Sequence, residues 1–368
     1  MNILLSIVSL LVLYIILQDA FETIVLPRRV TRRFRLARIY YFMSWNLWSW
    51  AAKKIHTESR RENFLSYYGP LSLLILLIIW ALGLVFAFAL LQGSFGSEML
   101  ATTGNVNFGT DFYMSGTTFF TLGLGDVVPR TALARVATVV EAGTGLGFFA
   151  LVIGYLPVIY QSFSRREVGI SMMDAHAGSP PSALELLRRH RRGDVMSELI
   201  EHLHDWENWC GEILESHLSY PVLMYYRSQH DRQSWLAALT TILDATALLV
   251  IGIDGVPEQA AWFSFAIATH AAVDLGQIFA DPDGTTIDRL PPADFAKLQE
   301  QLTALGIPLH DEDTAEERLR ELRQKYEPYV ISLSQRLHMP LPGWFAEIGN
   351  IDDWQTSRWG HESKSASV

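Results

Sequence analysis

Residues 117–126 read Thr-Thr-Phe-Phe-Thr-Leu-Gly-Leu-Gly-Asp and lie between two strongly apolar segments. Successive carbonyl oxygens of a Thr-x-Gly-x-Gly run can replace the water around a dehydrated cation. The glycines matter because such a loop needs backbone angles that residues with a Cβ tolerate poorly. The order of apolar segment, loop and second apolar segment is the one a membrane pore loop requires.

On the N-terminal side, residues 63–97 contain no charged side chain. Within them Pro70 to Leu91 is nearly all Leu, Ile, Ala, Phe and Trp, about 33 Å of helix at about 1.5 Å per residue and enough to cross the hydrocarbon core. Pro70 suits a first helical turn, where its missing N–H costs nothing. After the loop, a second span is expected from about Thr131 to Phe163, stopped by Arg165 and Arg166. A third runs from Ile3 to Leu26 and ends at Pro27-Arg28-Arg29. The competing reading of residues 1–26 is a cleaved signal peptide. They lack a basic n-region and an Ala-x-Ala site, and Asp19 and Glu22 fall where cleavage would be expected.

Basic residues set the expected orientation. Arg28, Arg29, Arg32, Arg33, Arg35 and Arg38 precede the stretch 39–52, and Lys53, Lys54, Arg60 and Arg61 follow it. Keeping all ten on the cytoplasmic side requires that 39–52 not cross. With Tyr40, Tyr41, Trp45, Trp48 and Trp50 it reads as a helix lying in the inner interface. The N-terminus is then outside, the helix at 70–91 runs outward and the loop enters from outside. A four-span alternative, in which 39–52 crosses, leaves one basic cluster outside.

The two halves differ in charge. Residues 1–166 hold 14 Lys/Arg against 8 Asp/Glu, and residues 167–368 hold 15 against 31. A basic membrane half joined to an acidic soluble half argues against a nucleic-acid partner. The single cysteine, Cys210, excludes an intrachain disulfide framework and fits a reducing cytosol.

The segment 112–129 and the helix after it resemble the pore module of tetrameric potassium channels. Thr121, Leu122, Gly123, Leu124 and Gly125 match the five filter positions, Asp126 the acidic residue behind the filter mouth, and Pro129 the proline that opens the inner helix. The resemblance spans roughly residues 67–163. It implies K⁺ ions held at Thr121, Leu122, Gly123 and Leu124, and a homotetramer, since a filter needs carbonyls from four sides. Valine is usual in the family at Leu122 and an aromatic residue at Leu124. The aromatic pair that grips that residue falls on Tyr113 and Met114. Leu124 has no hydroxyl to donate, so the usual hydrogen-bonded cuff cannot form in the same way. Gly-Leu-Gly occurs in some second pore loops of two-pore channels, which keeps potassium selectivity the leading expectation; the alternative is a weakly selective monovalent cation pore. Glu98, Asp111 and Asp126 are expected to gather at the outer mouth and concentrate cations, with Arg130 partly offsetting them.

Expected supports of the filter are Asp126, Thr117, Tyr113 and Glu141. An ionisable group within a membrane span is a functional candidate. Glu141 is expected to bond Thr117 or Tyr113, with a cavity-lining cation or blocker site as the alternative. Gly145 falls at the family's hinge glycine, and Gly143, Gly145 and Gly147 each lower helix propensity by up to about 1 kcal/mol. Close helix packing is the other reading of the same glycines. Leu146, Phe149 and Ile153 follow 3–4 spacing and would form a hydrophobic constriction, and Pro157 removes a donor and predicts a kink below it.

Beyond Gly178-Ser179-Pro180-Pro181 the pattern is helical, with expected helices at 182–191, 194–217, 231–252, 257–280, 292–304 and 314–338. Trp235–Ile253 is apolar, but Asp244 at its centre reads as a buried core helix rather than a span. No Gly-x-Gly-x-x-G follows a strand, and no nucleophile–base motif or phosphate loop appears, so an enzyme is not expected. His202, Asp205 and Glu198 share a helix face, and His270 precedes Asp274 by one turn; the expectation for both groups is a solvated surface, not a metal site.

The sequence therefore predicts an all-α membrane protein of the inner (plasma) membrane, multi-pass, with three parts. Residues 1–66 form an N-terminal transmembrane helix and an interfacial helix, 67–166 the pore module, and 167–368 an acidic α-helical cytoplasmic domain. The expected function is a passive potassium channel without a cofactor other than permeant K⁺. Its expected partners are the lipid bilayer and three further copies of itself. A sensor for an unidentified cytoplasmic ligand or protein, with the pore as its output, is the second class.

Overall fold

The apolar runs become helices because a backbone in hydrocarbon must satisfy its polar groups within its own segment. The structure is a computed structural model and describes residues 2–26, 35–96, 99–101, 106–190, 195–229, 233–253, 258–280, 287–310 and 312–345. The chain divides into two compact units, Met1–Gln161 and Ser162–Val368. It is an all-α membrane protein, with four helices long and apolar enough to cross a membrane among the described residues.

In the first unit, α1 (Ile3–Ile24) starts at Asn2, whose side chain accepts the Leu5 N–H at 3.3 Å. It lies along α4 (Tyr68–Ser94), and the two approach closely at Gly83, where a Cβ would stand 2.7 Å from Ile16 Cδ1. Between them come α2 (Leu36–Ala52) and α3 (Glu58–Ser66). Asp19 near the end of α1 is fully buried; it accepts the Trp80 indole N–H and the Ala37 backbone N–H, each at 3.0 Å. It therefore caps the start of α2 from another helix, satisfying a donor that α2 cannot satisfy itself. The aromatic residues of α2 divide into two sets. Trp45 is buried edge-on to Tyr68, and Trp48 stacks on Phe64 at 4.5 Å. Phe42, Met43, Leu47 and Trp50 remain exposed, the apolar face an interfacial helix presents.

Two short strands, which the helical pattern does not predict, bracket the loop region. β1 (Met99–Ala101) pairs antiparallel with β2 (Val127–Pro129), Met99 opposite Pro129. Between them lies α5 (Phe108–Phe119), and after them α6 (Ala132–Ala177). The helix itself runs on past Arg165-Arg166, the point at which the sequence reading ends the membrane span. Arg166 is buried, bonded to Glu167 at 2.9 Å and to the carbonyls of Leu223 and Tyr226 at 2.9 Å each. A guanidinium with that many partners needs no water, so the helix continues through it.

The second unit holds α7 (Ala183–Arg189), α8 (Val195–Ser219), a 3₁₀ turn over Pro221–Tyr225, α9 (Trp235–Gly252), α10 (Glu258–Phe279), α11 (Pro292–Ala304), α12 (Glu312–Gln324) and α13 (Glu327–Leu337). The single helix expected over 314–338 is two helices. Pro328 in the first turn of α13 has no N–H to continue the ladder, which is where a proline is tolerated and where a helix restarts. Every residue of α9 from Trp235 to Ile251 is buried within this unit. Its central Asp244 forms a two-point pair with Arg289, at 2.7 and 3.0 Å, and accepts the Tyr326 hydroxyl at 2.6 Å. A charge inside an apolar helix is thus paired by protein rather than placed in lipid.

Candidate functional site

Helix α5 opens with a reciprocal cap: Asn107 Oδ1 accepts the Thr110 N–H at 3.2 Å, and Thr110 Oγ1 accepts the Asn107 N–H at 3.3 Å. It ends at Phe119, and the chain that follows folds back onto its last carbonyls. Thr121 N–H donates to Thr118 O at 3.0 Å, while Leu122 and Gly123 N–H reach Thr117 O at 2.7 and 3.3 Å. The carbonyls a helix leaves unsatisfied at its C-terminus therefore anchor the loop.

Beyond that anchor the backbone alternates. Thr121 has φ 58°, Gly123 φ 55° and Gly125 φ 77°, whereas Leu122 and Leu124 between them stay outside the positive region. Alternating hands of φ turn successive carbonyls toward one side of a ribbon, the arrangement needed to coordinate a line of ions. Left-handed backbone costs a residue with a Cβ roughly 1–2 kcal/mol, so Thr121 holds a strained position. At Gly123 and Gly125 an added Cβ would meet nothing within 4 Å. Glycine is required there by conformation, not by space.

Side chains from two helices stand behind the loop. The Tyr113 hydroxyl donates to Asp126 Oδ2 at 3.0 Å, tying α5 to the residue that follows Gly125. Thr117 bonds within its own helix, its hydroxyl 2.9 Å from Met114 O, and makes no bond to Glu141. The expected partner of Glu141 is corrected: Glu141 is fully buried and its Oε1 accepts from Ser115, not from Thr117 or Tyr113. The same Ser115 hydroxyl lies 2.7 Å from Val85 O, so one small side chain joins α4, α5 and α6. Ser115 was missed because a serine in an apolar helix carries no signal of its own; its position one turn from Asp111 and opposite Glu141 emerges only when the helices pack.

Gly145 meets the end of α5. A Cβ there would lie 2.3 Å from Phe119 O and 3.1 Å from Phe119 C, so the inner helix approaches the last residue of α5 more closely than any other amino acid permits. Gly143 and Gly147 have open space at the same point. Leu146 and Ile153 are exposed at 65% and 71%. Phe149 departs from that stripe: it is half-buried, its ring 6.0 Å from both Phe119 and Phe120. Pro157 lies exposed within α6 without ending it. Asp111 is also displaced from its expected role at the mouth. It is buried, with its carboxylate against Gly93 of α4, while Glu98 lies outside the described residues. Asp126 is exposed, as are Leu122 and Leu124.

A short helix ending in a loop of alternating φ is held between two apolar helices, the arrangement a membrane pore loop requires. Residues 73–161, covering most of α4 through the first part of α6, match the family described as Ion channel. The chain is also similar to the uncharacterized membrane protein YdjJ of Bacillus subtilis (strain 168), at 25% identity over 217 residues. That alignment takes in 58% of this chain and 61% of the Bacillus protein's length. No solved structure matches the chain.

Proposed function

We propose that this protein is a passive, potassium-selective channel formed by four copies of the chain around one axis. The observation that carries the reading is the run of positive φ at Thr121, Gly123 and Gly125 directly after a helix whose C-terminal carbonyls anchor it. Four such loops would stack rings of carbonyls, and the partly negative end of α5 in each chain would favour a cation behind them. The exposure of Leu122, Leu124, Leu146 and Ile153 in one chain fits surfaces that face the axis or a neighbouring copy. The bond from Tyr113 to Asp126 supplies part of what the missing aromatic hydroxyl at Leu124 cannot. Ser115 and Glu141 add a second brace, below the loop and on the far side of α5. On this reading the N-terminus is outside and residues 167–368 form a cytoplasmic domain that assembles or gates the pore, in the inner membrane. A weakly selective cation pore is the second reading, favoured by one observation: neither leucine of the loop has a hydroxyl with which to anchor it.

The test is bilayer recording of the purified protein under bi-ionic K⁺/Na⁺. A reversal potential displaced toward the potassium equilibrium value supports selectivity. A value near zero leaves a cation channel but removes the potassium assignment. Absence of current from protein that sediments as a tetramer removes the channel reading.

A further inference from the structure

The second unit brings together three histidines that lie far apart in sequence. His176 sits in the last turn of α6, His190 immediately after α7 and His202 in α8. One ring nitrogen from each lies within 4.8 Å of the others. The rings of His176 and His202 are 4.0 Å apart between centroids; His190 lies 5.1 Å from His176 and 5.4 Å from His202. His190 is buried and the other two are half-buried. The sequence grouped His202 with Asp205 and Glu198 on its own helix; the Glu198 side chain lies outside the described residues, and the fold brings two rings from elsewhere in the chain to His202.

We propose that His176, His190 and His202 form a binding site for a divalent transition-metal ion of the zinc class, with a water or solvent ligand completing the coordination. Three imidazoles are a donor set that suits zinc and its late first-row neighbours, not calcium or magnesium, which take oxygen. Tetrahedral zinc with Zn–N near 2.0–2.1 Å sets its nitrogens roughly 3.3 Å apart, so side-chain rotation must close the present spacing by about 1.5 Å. His190 Nδ1 lies 2.8 Å from Leu186 O, which fixes Nδ1 as the protonated nitrogen. A ligating histidine anchored through its other nitrogen to a backbone carbonyl is the usual outer-shell arrangement. Among the described residues, Arg189 is a nearby charge that opposes a cation. It is bonded to Glu185 at 2.7 Å and to Ala175 O at 2.7 Å, and Glu185 also holds Arg188. The alternative is three rings packed for their apolar faces, with Trp206 continuing the stack 6.0 Å from His202.

The test uses full-length, tag-free protein in detergent, titrated with Zn²⁺ against a chromogenic chelator. One site per chain is expected, weakened at least tenfold by His176→Gln, His190→Gln or His202→Gln and unchanged by His204→Gln or His270→Gln. Co²⁺ in place of Zn²⁺ should give the visible absorption of a four- or five-coordinate site. A measurement on the unaltered protein removes dependence on variants that fail to fold: Zn²⁺ should shield His176, His190 and His202 from acylation by diethyl pyrocarbonate while His204 and His270 still react. Binding that survives all three substitutions, or acylation indifferent to Zn²⁺, overturns the site and leaves the packing reading.

Discussion

Replacing Gly145 by alanine isolates the contact between α6 and the end of α5. The new methyl would begin 2.3 Å from Phe119 O, 3.1 Å from its carbonyl carbon and 3.2 Å from its Cα. All three atoms are backbone, so no side chain can swing aside. Relief requires α5 or α6 to move by close to 1 Å, an overpacking strain of about 1–3 kcal/mol. Alanine recovers up to about 1 kcal/mol of helix propensity at the same position, leaving a net loss of up to about 2 kcal/mol where that recovery is complete. Gly143→Ala and Gly147→Ala carry the propensity gain without the clash, because nothing lies within 4 Å of either Cβ position. Thermal melts in one detergent should therefore rank Gly145→Ala below the parent and the other two at or above it. The displaced carbonyl is two residues before Thr121, so the Gly145 variant should also shift the K⁺/Na⁺ reversal potential. If Gly145→Ala melts with its two neighbours and keeps the parent reversal potential, the close approach does not govern the site.

Four further outcomes follow from other contacts. Ser115→Ala and Glu141→Ala should each destabilise the protein, and the double variant should cost less than their sum by roughly 0.5–3 kcal/mol because both break one buried bond; strict additivity in melting would contradict the contact. Tyr113→Phe removes only the 3.0 Å bond to Asp126 and should make filter currents less stable in time without lowering expression; unchanged open-time distributions would remove Tyr113 as a support. Arg289→Ala leaves Asp244 buried without its two-point partner, and urea unfolding should show a loss of about 3–5 kcal/mol, where a loss under 1 kcal/mol would mean Asp244 is otherwise satisfied. His217 is fully buried, and burial first, then Arg166, hold it well below its ordinary value. The unfolded chain therefore takes up the extra proton as pH falls through about 6.5, so its contribution is complete above that pH and is lost below it. His217→Asn should flatten the fall in melting temperature between pH 7.5 and 5, and an unchanged slope would assign that fall to other groups.

The long apolar helices were legible because hydrophobic length is a one-dimensional property that survives without neighbours. So was the loop at 121–126, whose glycines mark the positive backbone angles directly. The failures share a different cause. The partners of Arg166, Glu167 and two carbonyls more than fifty residues away, are marked by no local pattern. Asp111 resembles a mouth carboxylate and is buried against α4. Glu141 was placed on the correct neighbouring helix with the wrong partner, because the helical wheel fixes a face but not the rotation of the helix it meets. His202 shows the same limit: its ligand-like neighbours come from α6 and the end of α7, which no spacing rule connects. Ion pairs, caps and clusters formed across helices are properties of packing.

The carboxylate of Asp19 bears on how this chain enters a membrane. When α1 first meets the bilayer, neither the indole of Trp80 nor the start of α2 is present to receive it. A lone aspartate within an inserting helix costs up to about 3 kcal/mol, and that cost persists until α4, some sixty residues later, has been synthesised and has packed alongside. Helix α1 is therefore less stable alone than its apolar composition suggests, and becomes secure only in company. Removing it would expose in turn two donors meant for Asp19, so the first helix and the helix carrying Trp80 are expected to be inserted, and lost, as a pair.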